Sequence, residues 1–345
     1  MFGIWADMND SFSTSSSSVL CESMRQRLSR VVGLAGSQLC VGVDVRCDVA
    51  ERFAALSSMN TAKVSLTYLL EWLGEHVLIA TIQQGIRCVK FQMAYFEAHG
   101  SAGIGVLESL VALAQSHDCF VILDGKRGDI ASSMEAYGRM AFDHFDADAL
   151  TINPYMGADV WQALEPWFVR GKGVFVLWRT SNASGDLIQS FPQCLSWNEA
   201  SSQHHTDHRE KSEASSESLY GHIWSLLYDK PSCLQQGMRA QDSIGLVLGA
   251  TKMGALGDMD PAVYASLGDI PLLLPGLGKQ GGAVDKTLNK PWHIYNVSRA
   301  LYEHKSESEG EISPCDVRPL DVRPLDVRKV LGHNIAHYRL QLKIP

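Results

Sequence analysis

The sequence predicts an α/β fold, a (β/α)8 TIM barrel in a single domain with insertions. Three observations predict it: eight short apolar runs recur, most are continuously apolar up to a polar C-terminal end, and the spacing after each leaves room for a helix. Runs that are apolar on both faces suit parallel strands, covered outside by helices and packed inside against one another. In order they are LCVGVDV (39–45), CVKFQ (88–92), FVILDGK (120–126), ALTINPY (149–155) and GVFVLWRT (173–180). IGLVLGAT (244–251), PLLLPGLG (271–278) and HIYNVSR (293–299) complete the set. Beyond them, residues 326–342 set Val327, Val330, Leu331, Ile335, Tyr338 and Leu342 along one helical face, which supplies the eighth helix.

Four segments interrupt this pattern. Residues 1–18 end in a serine run that cannot build a core, so a disordered tail is expected before a barrel spanning 19–345. A long excursion after the fifth run, around 190–243, carries the polar stretch SSQHHTDHREKSEASSES followed by the helical-looking LYGHIWSLLYDK. Residues 303–315 are charged and serine-rich. They lead into the repeat DVRPL from Asp316 and again from Asp321, with a third start at Asp326. Proline every five residues forbids a continuous helix, and the units are too short for a solenoid, so 303–325 reads as an expanded loop.

Composition narrows the partners. The chain has 345 residues, 46% hydrophobic and 20% charged, enough for a sizeable core. Its net charge of −8 lacks the basic footprint of a nucleic-acid binder. No run approaches a membrane span, and MFGIWADMND has acids where a signal peptide needs basic residues. A cytoplasmic protein is expected, with no nucleic acid and no membrane as partner. The eight cysteines (21, 40, 47, 88, 119, 194, 233 and 315) form no CxxC pair, so they read as buried apolar residues.

In a barrel of this kind, polar residues at the C-terminal ends of strands are the candidates for chemistry. The third run, continued as Asp124-Gly-Lys126-Arg-Gly-Asp129-Ile130, is the sharpest. Alternation along a strand puts Asp124 and Lys126 on one face, and Lys90 ends the preceding run. Two acids and two lysines thus suggest an alternating charged array. Burying it costs several kcal/mol per ion unless each charge is paired, which makes a purely structural role inefficient. Ser132 and Glu135 have the spacing of a capping box for the helix that follows.

The segment DGKRGDIASSMEAYG resembles the active-site signature of the orotidine 5′-phosphate decarboxylases, in particular their bacterial-type branch. VGVDVR, VKFQMAYFEAHG, LTINPYMGADV, GVFVLWRTSN, GLVLGAT, PGLGKQGG and NVSRALY continue the likeness in family order, over about residues 38–302 outside the long excursion. The resemblance implies cofactor-free decarboxylation of orotidine 5′-phosphate to uridine 5′-phosphate, in pyrimidine biosynthesis. It makes Lys126 the proton donor and sets Asp124 against the substrate carboxylate. Lys90 and Asp129 complete the network, Asp129 reaching in from the other subunit of a homodimer with shared sites. It gives Asp44 the ribose hydroxyls, with Gln92 nearby, and gives Thr180 and Ser181 the pyrimidine. Pro275 flanks the base, Gln280 and Arg299 grip the phosphate, and Ile130 and Ser133 belong to the same substrate site. Physical reasoning supports the phosphate end independently, because loops after strands seven and eight commonly bind phosphate in such barrels. Against the family pattern, Gly125 stands for alanine, Ser133 for threonine, Lys279 for a small residue and Lys252-Met253 for Tyr-Pro.

Other motifs weigh less. The GxGxxG of 276–281 follows the seventh run, where a dinucleotide fold needs it early. The Arg127-Gly128-Asp129 tripeptide and the Asn182 and Asn296 glycosylation patterns lack a secretory context. His204, His205 and His208 lie in polar low-complexity sequence, and Trp161 and Trp167 read as packing. The rival functions are a metal-dependent sugar-phosphate decarboxylase or epimerase on a related barrel, and a catalytically silent nucleotide-binding barrel.

Overall fold

All eight apolar runs become strands in the computed structural model, which describes residues 21–190, 192–193, 217–229, 239–252, 265–278, 281–285, 287–302 and 326–344. The strands are β1 (Leu39–Val43), β2 (Cys88–Gln92), β3 (Phe120–Arg127) and β4 (Ala149–Ile152), then β5 (Gly173–Arg179), β6 (Ile244–Leu248), β7 (Leu272–Pro275) and β8 (His293–Val297). They close as β1-β8-β7-β6-β5-β4-β3-β2, and every pairing is parallel. The fold is a (β/α)8 barrel, as the run pattern predicts.

Alternation sorts the strand side chains into two cores. Cys40, Cys88, Phe120, Ile122, Ala149, Phe175, Val247, Leu273 and Ile294 fill the barrel interior. The same cluster includes Met24, Leu28, Val31 and Val32 of α1 (Met24–Ala35), which therefore closes the N-terminal end of the barrel. A Ser23–Gln26 capping box starts α1, and Gly36, with φ of 60°, ends it in the left-handed region. Polar contacts hold this lid in place. The Arg27 Nε donates to Asp148 Oδ1 at 2.6 Å, and Asp148 Oδ2 accepts the Val121 N–H at 2.8 Å. Arg25 donates to the Asp269 carbonyl at 3.1 Å and lies over the Trp292 ring.

The larger core lies between the strands and the outer helices: α2 (Cys47–Leu56), α3 (Leu66–Gln83), α4 (Gly100–Gln115), α5 (Ala131–Gly138) and α6 (Val327–Gln341). Val327, Leu331, Ile335 and Leu342 are buried and Val330 and Tyr338 partly so, as the predicted face of α6 requires. Trp161 and Trp167 are core residues. Between β5 and β6, Leu219–Trp224 forms a helix that widens into a π-type turn at Ser225–Asp229. Trp224 packs on Trp178 of β5, so the helical-looking end of the excursion is an outer helix of the barrel.

Two expectations are corrected. The helix after β3 begins at Ala131 behind Ile130, which makes no side-chain cap, so Ser132 lies inside it and no Ser132–Glu135 box forms. Cys40, Cys88 and Cys119 are buried, but Cys21 is exposed and Cys47 only partly covered. Residues 1–18, the repeat loop 303–325, most of the 190–243 excursion, Cys194, Cys233, Cys315 and the three histidines lie outside the described residues.

Candidate active site

The C-terminal ends of β2 and β3 run side by side, with Gln92 opposite Asp124 and Lys90 opposite Ile122. Because alternate side chains share a face, Lys90, Asp124 and Lys126 converge at the barrel mouth. The Lys90 Nζ donates to Asp124 Oδ2 at 2.7 Å, and the Lys126 Nζ donates to Oδ1 at 2.6 Å. The Thr151 hydroxyl donates to Oδ1 at 2.8 Å from β4. With its nitrogen turned toward Asp124, the Gln92 amide adds bonds to Oδ2 at 3.1 Å and to the carbonyl at 2.6 Å.

Lys90 is 4% exposed and Asp124 9%, so both charges stand in a poorly solvated place. Burial pushes the Asp124 carboxyl up, but the Lys90 and Lys126 ammoniums outweigh it and hold it well below the usual carboxylate range. Burial likewise disfavours charge on Lys90, and the Asp124 and Asp44 carboxylates overcome it and raise its pKa. The result is a fixed carboxylate between two ammoniums, one buried and one at the mouth.

Backbone strain sets the outer ammonium. The β3–β4 register shifts between Leu123 and Arg127, and Lys126 takes a φ of 49°. A left-handed conformation costs a non-glycine residue about 1–2 kcal/mol. The surrounding structure compensates through Thr151, whose Oγ1 accepts the Lys126 N–H at 2.9 Å. One hydroxyl thus ties the carboxylate and the lysine backbone together. The space beside Gly125 is taken by Met93 Sδ and the Arg127 side chain, which a Cβ would meet at 2.9 and 3.0 Å.

Across the mouth, Asp44 follows β1. Its Oδ2 accepts the Ser298 hydroxyl at 2.5 Å and its N–H donates to the Tyr302 hydroxyl at 3.1 Å. Its Oδ1 is buried with no hydrogen-bond partner among the described residues, an acceptor suited to a ligand hydroxyl.

A cavity of about 420 Å³ opens between these groups, and nine of the predicted residues line it: Asp44, Lys90, Gln92, Asp124, Lys126, Thr180, Ser181, Pro275 and Arg299. Arg299 is exposed at its rim, starts the single turn Arg299–Tyr302, and makes no ion pair with a described residue. Gly276 and Gly278 at the same end have φ of 104° and 85°, turning the backbone after β7 toward the cavity. Gln280 and Lys279 lie outside the described residues.

Asp129, Ile130 and Ser133 do not line this cavity. The Asp129 carboxylate instead accepts the N–H of Ile130 at 2.7 Å, and Ile130 is 59% exposed. Within one chain the array is therefore three groups, not four. Sequence reasoning missed Thr151, Asn296 and Ser298, whose signal was available: each points inward near the end of β4 or β8 by the same alternation that exposed Asp124 and Lys126. Tyr95, in the short helical turn Ala94–Glu97, and Asn182, on the loop after β5, also line the cavity, where no periodicity marks them. Among the described residues no group of three or more His, Cys, Asp or Glu could hold a metal ion.

These features define a class: barrel enzymes that use paired charges at the mouth, with a cationic rim after strands seven and eight suited to a phosphorylated small molecule. The family model described as orotidine 5′-phosphate decarboxylase / HUMPS family matches residues 37–310, and the chain belongs to that family. It is 35% identical to an orotidine 5′-phosphate decarboxylase of Salinispora tropica over 269 residues, 76% of this chain and 81% of the relative. A Janthinobacterium relative of the same name is 32% identical over 291 residues, 82% of this chain and 90% of the other. Among solved structures, a candidate orotidine 5′-phosphate decarboxylase from Streptomyces avermitilis superposes with a TM-score of 0.67 at 26% identity, covering 96% of this chain and 98% of that one.

Proposed function

We propose that this chain decarboxylates orotidine 5′-phosphate, giving uridine 5′-phosphate and carbon dioxide in pyrimidine biosynthesis, in the cytoplasm. The observation that carries the reading is the Lys90–Asp124–Lys126 array on the cavity wall. Loss of the substrate carboxylate leaves an electron pair on a ring carbon with no adjacent electron sink. The array meets that demand with charge placed before the reaction begins. The carbon–carbon bond breaks, its electrons stay on the ring carbon, and the Lys126 ammonium gives that carbon a proton. Lys126 then regains a proton from water. Asp124, kept ionised by its partners, faces the substrate carboxylate, and that repulsion ends as carbon dioxide leaves. Asp44 Oδ1 takes a ribose hydroxyl, and Arg299, with Gln280, takes the phosphate, whose binding offsets the unfavourable approach of two carboxylates. The test is the ultraviolet absorbance of orotidine 5′-phosphate with purified protein, with and without a chelator. Chelator-independent loss of the orotate chromophore supports the reading. Chelator-sensitive loss favours the metal-dependent rival, and no loss favours the silent binder.

The working unit in this reading is a homodimer with shared sites, Asp129 and Ile130 serving the neighbouring cavity. Support comes from the adjacent surface, where Ile130, Tyr155, Met156, Leu187 and Ile188 expose apolar side chains just beyond β3, β4 and β5. Mixing Lys126→Ala with Asp129→Ala protein tests it. Each is inactive alone; after exchange of equal amounts about half of the dimers are mixed, each with one intact site of two, so the mixture regains roughly a quarter of wild-type activity. An inert mixture of exchanged subunits removes the shared site.

A further inference from the structure

The loop after β5 carries two hydroxyl residues, Thr180 and Ser181, on the cavity rim, and they are not equivalent. The side-chain amide of Gln189 grips Thr180 twice: Oε1 accepts the Thr180 N–H at 2.9 Å, and Nε2 donates to the Thr180 hydroxyl at 2.7 Å. That hydroxyl in turn donates to Asn182 Oδ1 at 2.6 Å, so its proton is already committed within the loop. A Cβ on Gly185 would lie 2.9 Å from the Thr180 hydroxyl and 3.3 Å from Gln189 Oε1, so the loop packs directly on the clamp. The clamp is anchored from behind as well. Gln189 ends the short helix Asp186–Gln189, and Asp186 is ion-paired to Lys252 at 2.5 Å and to the buried Arg179 at 3.3 Å.

Among the described residues, Ser181 is held by its backbone alone. Its N and Cα pack beside Gly249, where a Cβ would approach both at 2.7 Å, and its carbonyl accepts the Thr251 hydroxyl at 3.3 Å. Its own hydroxyl has no partner among the described residues and lines the cavity.

We infer that Gln189 is a specificity-determining positioning residue: by immobilising Thr180 it aims the Ser181 hydroxyl at the polar edge of the ligand's base. The inference rests on the proposed function, because the base in question is a pyrimidine. It divides the two hydroxyls between structure and recognition. Thr180 belongs to the frame, and Ser181 makes the contact. Gln189 touches no ligand and acts through Ser181.

Two ligands that share sugar and phosphate but differ in the base separate this role from general damage. Dissociation constants for uridine 5′-phosphate and ribose 5-phosphate would be measured by calorimetry on wild type, Gln189→Leu, Ser181→Ala and the double variant. Gln189→Leu is expected to weaken uridine 5′-phosphate about tenfold, the net worth of one hydrogen bond, and to leave ribose 5-phosphate unchanged. Ser181→Ala is expected to lose as much, and the double variant no more than Ser181→Ala alone, since one residue acts through the other. Equal weakening of both ligands, additive losses, or an unaltered Gln189→Leu overturns the inference while the proposed function stands. A wild-type protein with no preference for uridine 5′-phosphate over ribose 5-phosphate overturns both.

Discussion

Replacing Thr151 with valine keeps the shape of the side chain and deletes one oxygen that has two partners. The Asp124 carboxylate loses a donor at 2.8 Å, and the Lys126 N–H loses its acceptor at 2.9 Å. A hydrogen bond to a charged group contributes about 1.5–3 kcal/mol, and an amide left unpaired costs about 1–3 kcal/mol, toward the lower end here because the site is only part-buried. Stability is therefore expected to fall by about 2–4 kcal/mol. The larger consequence concerns position. Lys126 sits at a φ of 49°, and Thr151 is what ties its amide in that conformation. Once released, the backbone relaxes toward the ordinary strand region and carries the ammonium away from Asp124. A displacement on the order of 1 Å at a reacting group lowers turnover by about a hundredfold, so kcat should drop between about ten- and a hundredfold. KM should move little, because the ribose and phosphate contacts proposed above lie elsewhere. The assay is loss of orotate absorbance under saturating substrate, with thermal melting to confirm a folded protein. Thr151→Ser, which keeps the oxygen, should recover most of the rate. A folded Thr151→Val enzyme with wild-type kcat would falsify the argument.

Three further outcomes are expected. Lys126→Ala should abolish turnover and leave uridine 5′-phosphate binding largely intact, and turnover near wild type would remove Lys126 as proton donor. Arg299→Ala should weaken phosphorylated ligands by about 1.5–3 kcal/mol, the worth of a charged hydrogen bond, without affecting uridine; equal effects on uridine and uridine 5′-phosphate would refute a phosphate contact. His293 is fully buried, and burial lowers its pKa to about 4. The unfolded chain takes up a proton near pH 6.5 while the folded one stays neutral. This contribution is therefore whole above pH 6.5 and is lost as pH falls toward 4, by about 3 kcal/mol in all. His293→Leu should flatten that stretch of the urea-stability profile, and an unchanged slope would assign it to other groups.

Much of this molecule is legible from its sequence, for reasons that differ by element. The eight strands stand out because buried parallel strands must be apolar on both faces. The polar residues that interrupt them, such as Lys90 and Asp124, are conspicuous for the same reason. Thr151 carried the same signal more faintly, since a threonine inside LTI disturbs an apolar run less than an aspartate does. The Gln189–Thr180 clamp was out of reach, because it depends on a helical turn that brings residue 189 back to a strand end. In sequence the helix at Leu219–Trp224 merges with the polar excursion before it, since composition alone does not say where an insertion stops and a barrel element resumes. The capping box failed by register: a serine and a glutamate three apart cap a helix only if it starts just after the serine, and this one starts at Ala131, two residues too early.

The helix that seals the underside of the barrel also bears on the order of assembly. α1 comes before every strand of the barrel, yet its partners are strung out to the far end of the barrel sequence. Asp118 and Asp148 flank β3 and β4, while Asp242, Asp269 and Trp292 precede β6, β7 and β8. The Arg25–Asp269 contact alone spans 244 residues. A chain that emerges N-terminus first makes this helix before any of them exists, and its apolar face must wait until the last strands arrive. Final docking of α1 is thus a checkpoint on completion, since it engages fully only when all eight strands are present to receive it.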